Sequence, residues 1–286
     1  MDYVSRFLLE ALDIRGAVVH LGAAWRAMQA GRGFADTTRN LLGEMTAVTA
    51  LLGSNLKTPG RISFQVQGHG PVRLMVVDCD EQLHLRGVAR TSPDVGLDSS
   101  ATVAQLLGDG QLVLTLRTSN ADDRPYQSFV PIEGESVAQI FEYYLAQSEQ
   151  APSRLWLAAD GAYACGLFLQ KLPGADRKDA DGWNRVQTLA DTVTAAELAL
   201  PAETLLQRLF PEEDMRLFAA REAVYHCPRD EEKVIDMLRA LGRIELESIV
   251  AEHGEIVIHD DICNHEYRFG PELVEQLFPA DARTLH

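Results

Sequence analysis

Residues 61–90, RISFQVQGHGPVRLMVVDCDEQLHLRGVAR, carry the pattern on which the fold class turns. Ile62, Phe64 and Val66 alternate with Arg61, Ser63, Gln65 and Gln67, the period-two signature of a half-buried strand. Gly68-His69-Gly70-Pro71 is a turn signal, and a second strand follows from Val72 to Val77. A third runs from Gln82 to Val88. Successive strands joined by short turns point to antiparallel pairing.

Working outward, Asp36 is placed to cap a helix reaching about Leu52, with Leu41, Leu42, Met45, Val48 and Leu52 on one face. The first sixteen residues, MDYVSRFLLEALDIRG, lack a basic segment followed by an apolar stretch and a cleavage site. Asp2 and Glu10 interrupt their apolar residues at helical spacing, so they read as a helix and not a signal peptide. Downstream, Ala101–Leu107 reads as a short helix, Leu112–Leu116 and Tyr126–Ile132 as strands, and Ser136 as the cap of a helix to about Gln147. Arg154–Ala159 and Tyr163–Leu169 form a hairpin around Asp160-Gly161. The expected class is α+β with mainly antiparallel pairing.

The polar run from Pro173 to Gly182 is the best boundary in the chain. Beyond it, Val186, Leu189, Val193 and Leu200 recur at helical spacing, as do Leu205, Leu206 and Leu209 after Pro201. These stripes have no sheet of their own and must pack on the first domain or on a partner. From about 222 a small unit follows: two short helices, a strand, a tight turn around Ile262–Glu266, a return strand and a last helix from Pro271 to Leu277. The divisions are therefore a core domain at 1–175, a helical linker at 176–221 and a C-terminal unit at 222–286. A unit of that size has a small core and commonly needs a staple.

Of 286 residues, 46% are hydrophobic and 24% charged, a soluble globular balance, and the net charge is −16. With no basic block to neutralise phosphates, nucleic acid is not an expected partner. No apolar run approaches the roughly 20 residues that span a bilayer, so the expected compartment is the cytosol, where cysteines stay reduced unless they serve a redox or metal role. Cys79 and Cys165 lie in predicted strands and read as buried structural thiols. Gly68-His69-Gly70 and Gly108-Asp109-Gly110 lack the spacing of a phosphate loop and read as turns, so no nucleotide is expected. No nucleophile, base and acid fall into a catalytic motif, and no enzymatic activity is expected.

Several segments together resemble the 33 kDa heat-shock chaperone family. They are FQVQGHGPVRLMVV at 64–77, LRGVAR at 85–90, ADDRPYQSFVPIEGESVAQIFEYYLAQSEQ at 121–150, PSRLW at 152–156, LALPAETLLQRLFPEE at 198–213 and AEHGEIVIHDDICNHEYRF at 251–269. The resemblance covers nearly the whole chain in the family's order. It implies an ATP-independent holdase that binds unfolding proteins under oxidative or heat stress, in the cytoplasm, as a homodimer when active. The family's motif is Cys-x-Cys, then roughly 30 residues, then Cys-x-x-Cys, with four thiolates on one zinc. This sequence departs from it. Cys227 and Cys263 match the second and fourth cysteines, and Tyr225 and Asp260 stand at the other two positions.

Neither of the family's disulfides can form from such a set. If the fold is kept, Cys227 and Cys263 face each other across the former zinc site and are a candidate redox pair. Zinc is the implied cofactor, with Cys227, Cys263 and Asp260 as candidate ligands and His226 or His265 as a fourth; a metal-free site held by packing stays open beside it. The implied client-binding residues are those of the linker stripes: Val186, Leu189, Val193, Leu205, Leu206 and Leu209. Two alternatives remain: a chaperone active without redox control, and a protein-binding adaptor with a residual zinc site.

Overall fold

The computed structural model describes residues 1–56, 58–92, 101–120 and 124–279 and divides into two units, Met1–His226 and Cys227–His286. The first three residues of the segment quoted from 121 lie outside the described residues. The class is α+β, with almost all pairing antiparallel.

In the first unit, the alternating segment becomes the centre of a six-stranded sheet. Strand Gly60–Gln67 pairs on one side with Val72–Asp80 and on the other with Gln111–Thr118, and His84–Thr91 and Tyr126–Val130 extend it. Ile62, Phe64 and Val66 point into the core, as their spacing requires. The turns that resemble phosphate loops spend their N–H groups internally: His69 and Gly70 both donate to the Leu107 carbonyl, at 2.9 and 3.0 Å.

A second sheet runs in the order Met215–Leu217, Tyr3–Leu9, Ile14–Leu21, Ala164–Lys171, Ser153–Ala159, with Arg221–Glu222 also paired to Tyr3–Leu9. This corrects the expected N-terminal helix. Apolar residues at 4, 7, 8, 9, 12 and 14 satisfy helical and strand spacing alike, and the decision is tertiary. Asp13 adopts a left-handed φ of 52° that turns the chain back, and Tyr3–Leu9 pairs along its whole length with Ile14–Leu21.

Helix Asp36–Gly53 contributes to one core with residues of both sheets, and twelve of its residues are buried, so it is apolar nearly all round. Two of its inward hydroxyls are satisfied within the helix, Thr46 on the Leu42 carbonyl and Thr49 on the Met45 carbonyl, at 2.7 and 2.6 Å, whereas the buried Thr38 hydroxyl has no hydrogen-bond partner. Gly43 faces the sheet so closely that a methyl there would overlap the Ala159 Cβ, which is why this position has no side chain. The helix begins at Asp36 itself, one residue after Ala35, the residue that precedes the first turn.

The other face of the Tyr3–Leu9 sheet is covered by helices Gly182–Ala190, Ala195–Leu198 and Ala202–Leu209. The expected single helix from 186 to 200 is thus broken. Thr194 ends it because its hydroxyl and the Glu197 carboxylate cap each other's backbone N–H groups and start a new turn. No helix among the described residues is long and apolar enough to cross a membrane.

The second unit has helices Glu231–Leu241, Arg243–His253 and Glu272–Leu277 around the hairpin Ile256–Asp260 and His265–Phe269. Its core is small: among the described residues the buried apolar cluster is Leu238, Leu246, Ile256, Leu273 and Val274.

Candidate metal and disulfide centre

The hairpin places the site. Asp260 and His265 are Cα partners at the closing end of the two strands, so their side chains share one face. Between them the chain reverses over four residues. The Asp260 carboxylate accepts the N–H groups of Ile262 at 3.0 Å and Cys263 at 3.3 Å, closing an Asx turn. Asn264 completes the reversal at a left-handed φ of 55°, a conformation that asparagine tolerates. This leaves Cys263 buried and turned inward beside Asp260 and His265.

Cys227 is joined to Cys263 in a disulfide with a Cα separation of 5.5 Å, ordinary for the bond. Tyr267 holds the approach: its hydroxyl accepts the N–H of Asp230 at 3.1 Å, and the Arg229 guanidinium lies 5.4 Å from its ring centre. The segment after Cys227 is therefore tied to the hairpin that carries Cys263. The crosslink closes a separation of 36 residues, for which chain entropy gives about 4 kcal/mol of stabilisation.

One donor atom each from Asp260, Cys263 and His265 lies within 4.8 Å of the others. His265 Nδ1 is buried and has no hydrogen-bond partner, an arrangement that burial makes costly unless the lone pair is used. These observations fit the metal that the resemblance implies. With the crosslink reduced, two thiolates, a carboxylate oxygen and an imidazole nitrogen make a four-donor set of the kind zinc accepts. His226 and His259 stand elsewhere: His226 stacks on His84 in the first unit with ring centres 4.5 Å apart, and His259 lies 3.8 Å from Asp261. Of the histidines adjacent to the cysteines in sequence, the strand register brings His265 beside Asp260 and Cys263.

Tyr225 sits in a two-residue strand paired parallel with His84–Leu85, and it packs partly buried against the main core. The other two thiols, Cys79 and Cys165, are free and buried. Burial raises the pKa of Cys79 strongly and pushes Cys165 up to about 12.

The linker residues are not on the surface in this structure. Val186, Leu205 and Leu206 are at most 1% exposed. Leu209 is buried with them, and Leu189 and Val193 pack partly buried against the same cluster, which also holds Phe7, Leu9, Val18, Cys165, Leu167 and Leu169 of the sheet.

Residues 2–270 match the family described as Hsp33 protein. The chain is 41% identical over 283 residues to the 33 kDa chaperonin of Methylobacillus flagellatus, covering 98% of this chain and 95% of that one. It is 39% identical over 284 residues to the 33 kDa chaperonin of Nitrosococcus oceani, covering 99% and 96%. Its fold matches a crystal structure of the 33 kDa chaperonin (heat shock protein 33 homolog) from Thermotoga maritima with a TM-score of 0.82, covering 96% and 97% of the two chains at 22% identity.

Proposed function

This chain belongs to the Hsp33 protein family, and from that premise we propose that it is an ATP-independent holdase that captures unfolding proteins in the cytosol. The observation that carries the reading is the apolar interface between helices 182–209 and the Tyr3–Leu9 sheet. Lifting those helices would uncover two complementary apolar surfaces, a patch of the kind that binds exposed client segments. The helices are short, and each buries its stripe only by this packing, so the layer can leave without unravelling the main core. Capture requires no bond-making step, so the proposed activity is non-enzymatic. Client-bound protein is a homodimer in this reading.

The regulatory centre works with two thiols. Reduced, Cys227 and Cys263 hold one zinc ion with Asp260 and His265, which supplies the small unit with a crosslink its five-residue core needs. Oxidised, the same thiols form the single disulfide and are lost as ligands. Chain continuity offers the route outward: His226 donates to the Leu85 carbonyl at 3.0 Å, and Cys227 is the next residue. The disulfide coexists with docked helices. The crosslink is thus permissive, and client capture needs a further input that loosens the helix layer, of which heat is the general one.

The experiment is the peroxide response of Cys227→Ser in a client-aggregation assay. The proposal expects the variant to lose the difference between reduced and oxidised protein. An unchanged response would move redox control away from this pair. Metal analysis of reduced protein should find one zinc per chain, and His265→Ala should lower that content; equal content in both would remove His265 from the ligand set.

A further inference from the structure

The helix layer also rests on a histidine that the cysteine switch does not use. His20 is the Cα partner of Tyr3 on one side and of Cys165 on the other, so all three face the helices. Its ring is stacked on Tyr3 at 5.8 Å between centres and tilted against Tyr163 at 5.1 Å. Tyr3 in turn accepts the N–H of Ala202, in the opening turn of helix Ala202–Leu209, on its hydroxyl at 2.9 Å. The row Tyr163, His20, Tyr3, Ala202 therefore runs from the sheet into the layer. Within it, His20 Nδ1 is buried with no hydrogen-bond partner.

We propose that His20 is a proton-sensitive catch on the helices at 182–209, and that acidification loosens them independently of Cys227 and Cys263. The groups facing the ring are the Asp2 carboxylate, the N-terminal amine, the carbonyls of Ala199 and of His20 itself, and the uncharged Tyr3, Tyr163 and Cys165. Burial opposes the charged ring most; Asp2 and the two carbonyls favour it and the amine opposes it. Burial prevails and holds the pKa below its ordinary value of 6.5. A ring freed by departure of the layer regains the ordinary value. The released form then takes up a proton that the docked form refuses, so docking is fully stable above the ordinary value and weakens as pH falls through it toward the docked value.

The inference rests on the reading that these helices leave the sheet, and the test separates the two. In the disulfide form the free thiols are Cys79, in the main core, and Cys165, beneath the helices. Full-length oxidised protein is treated with 4,4'-dithiodipyridine between about pH 7.5 and about pH 5.5. Each rate is divided by that of the urea-unfolded chain at the same pH, and the two sites are resolved by peptide mass. Relative modification of Cys165 should rise several-fold on acidification while Cys79 stays protected, and His20→Gln should abolish the rise. A flat Cys165 profile, or the same rise in His20→Gln, overturns the catch. If His20→Gln is open at every pH, the imidazole titration of the unaltered protein by NMR decides: a value below 6.5 sustains the proposal and a value at or above it overturns it. Mild heating at neutral pH is the control. Exposure of Cys165 by heat but not by acid removes the catch alone, whereas protection under both while client is bound removes the gate as well.

Discussion

At Asp260 the carboxylate accepts two turn N–H groups, and its side chain also stands within ligand distance of Cys263 and His265. Asp260→Ala should cost the small unit about 2 kcal/mol through the lost charge-assisted bonds, read as faster amide exchange along His265–Phe269. Asp260→Asn, whose amide oxygen still accepts, should restore most of that protection. Glu44 gives a second residue-level prediction. Burial raises its carboxyl from 4.5 to about 7. The folded state then keeps a proton that the unfolded chain gives up, so its contribution is full below the ordinary carboxylate range and is lost as pH rises toward 7 and beyond. Glu44→Gln should flatten the fall in stability between about pH 5 and about pH 8, on the order of 2 kcal/mol, measured by urea titration across that range. At this scale the sequence was only partly legible. The two cysteines were paired by resemblance, because 36 residues separate them and no local pattern links them. Which histidine stands beside Asp260 and Cys263 could not be read from the sequence; the hairpin register sets His265 opposite Asp260.

The elements follow their patterns wherever one face alone is buried. Strands Gly60–Gln67 and Gln111–Thr118 alternate as written, and helix Val137–Ser148 starts where the Ser136 hydroxyl accepts the Gln139 N–H at 3.2 Å. Patterns fail where both faces are covered. Strand Ile14–Leu21 has the main core on one side and the helix layer on the other, so its near-continuous apolar run lost the alternation that would have marked it. The strands Met215–Leu217, Arg221–Glu222 and Val224–Tyr225 are too short to carry any period. The layer itself gives a prediction. Tyr3→Phe removes the acceptor for Ala202 and should accelerate amide exchange in Ala202–Leu209 by about tenfold, equivalent to roughly 1.4 kcal/mol, with the Asp36–Gly53 helix unaffected. Leu206→Ala, fully within the interface, should open the same segment more, by about 2–4 kcal/mol.

The whole chain comprises a large unit with an extensive core and a small one that carries the Cys227–Cys263 disulfide. A unit whose buried apolar cluster holds five side chains among the described residues gains far more from a crosslink than the first unit does. In the proposed centre, metal and disulfide are alternatives at the same two sulfur atoms. Removal of metal from the reduced chain should therefore destabilise Cys227–His286 selectively, leaving protection in Asp36–Gly53 unchanged by amide exchange. The acidic net charge of −16 favours dispersion through mutual repulsion, as the proposed holdase would require. The most direct test of this account is light scattering from a heat-unfolding client at elevated temperature, with fully reduced, zinc-loaded protein compared against peroxide-oxidised protein. The account predicts strong suppression by the oxidised form and little by the reduced form. Absence of suppression in both states would contradict it.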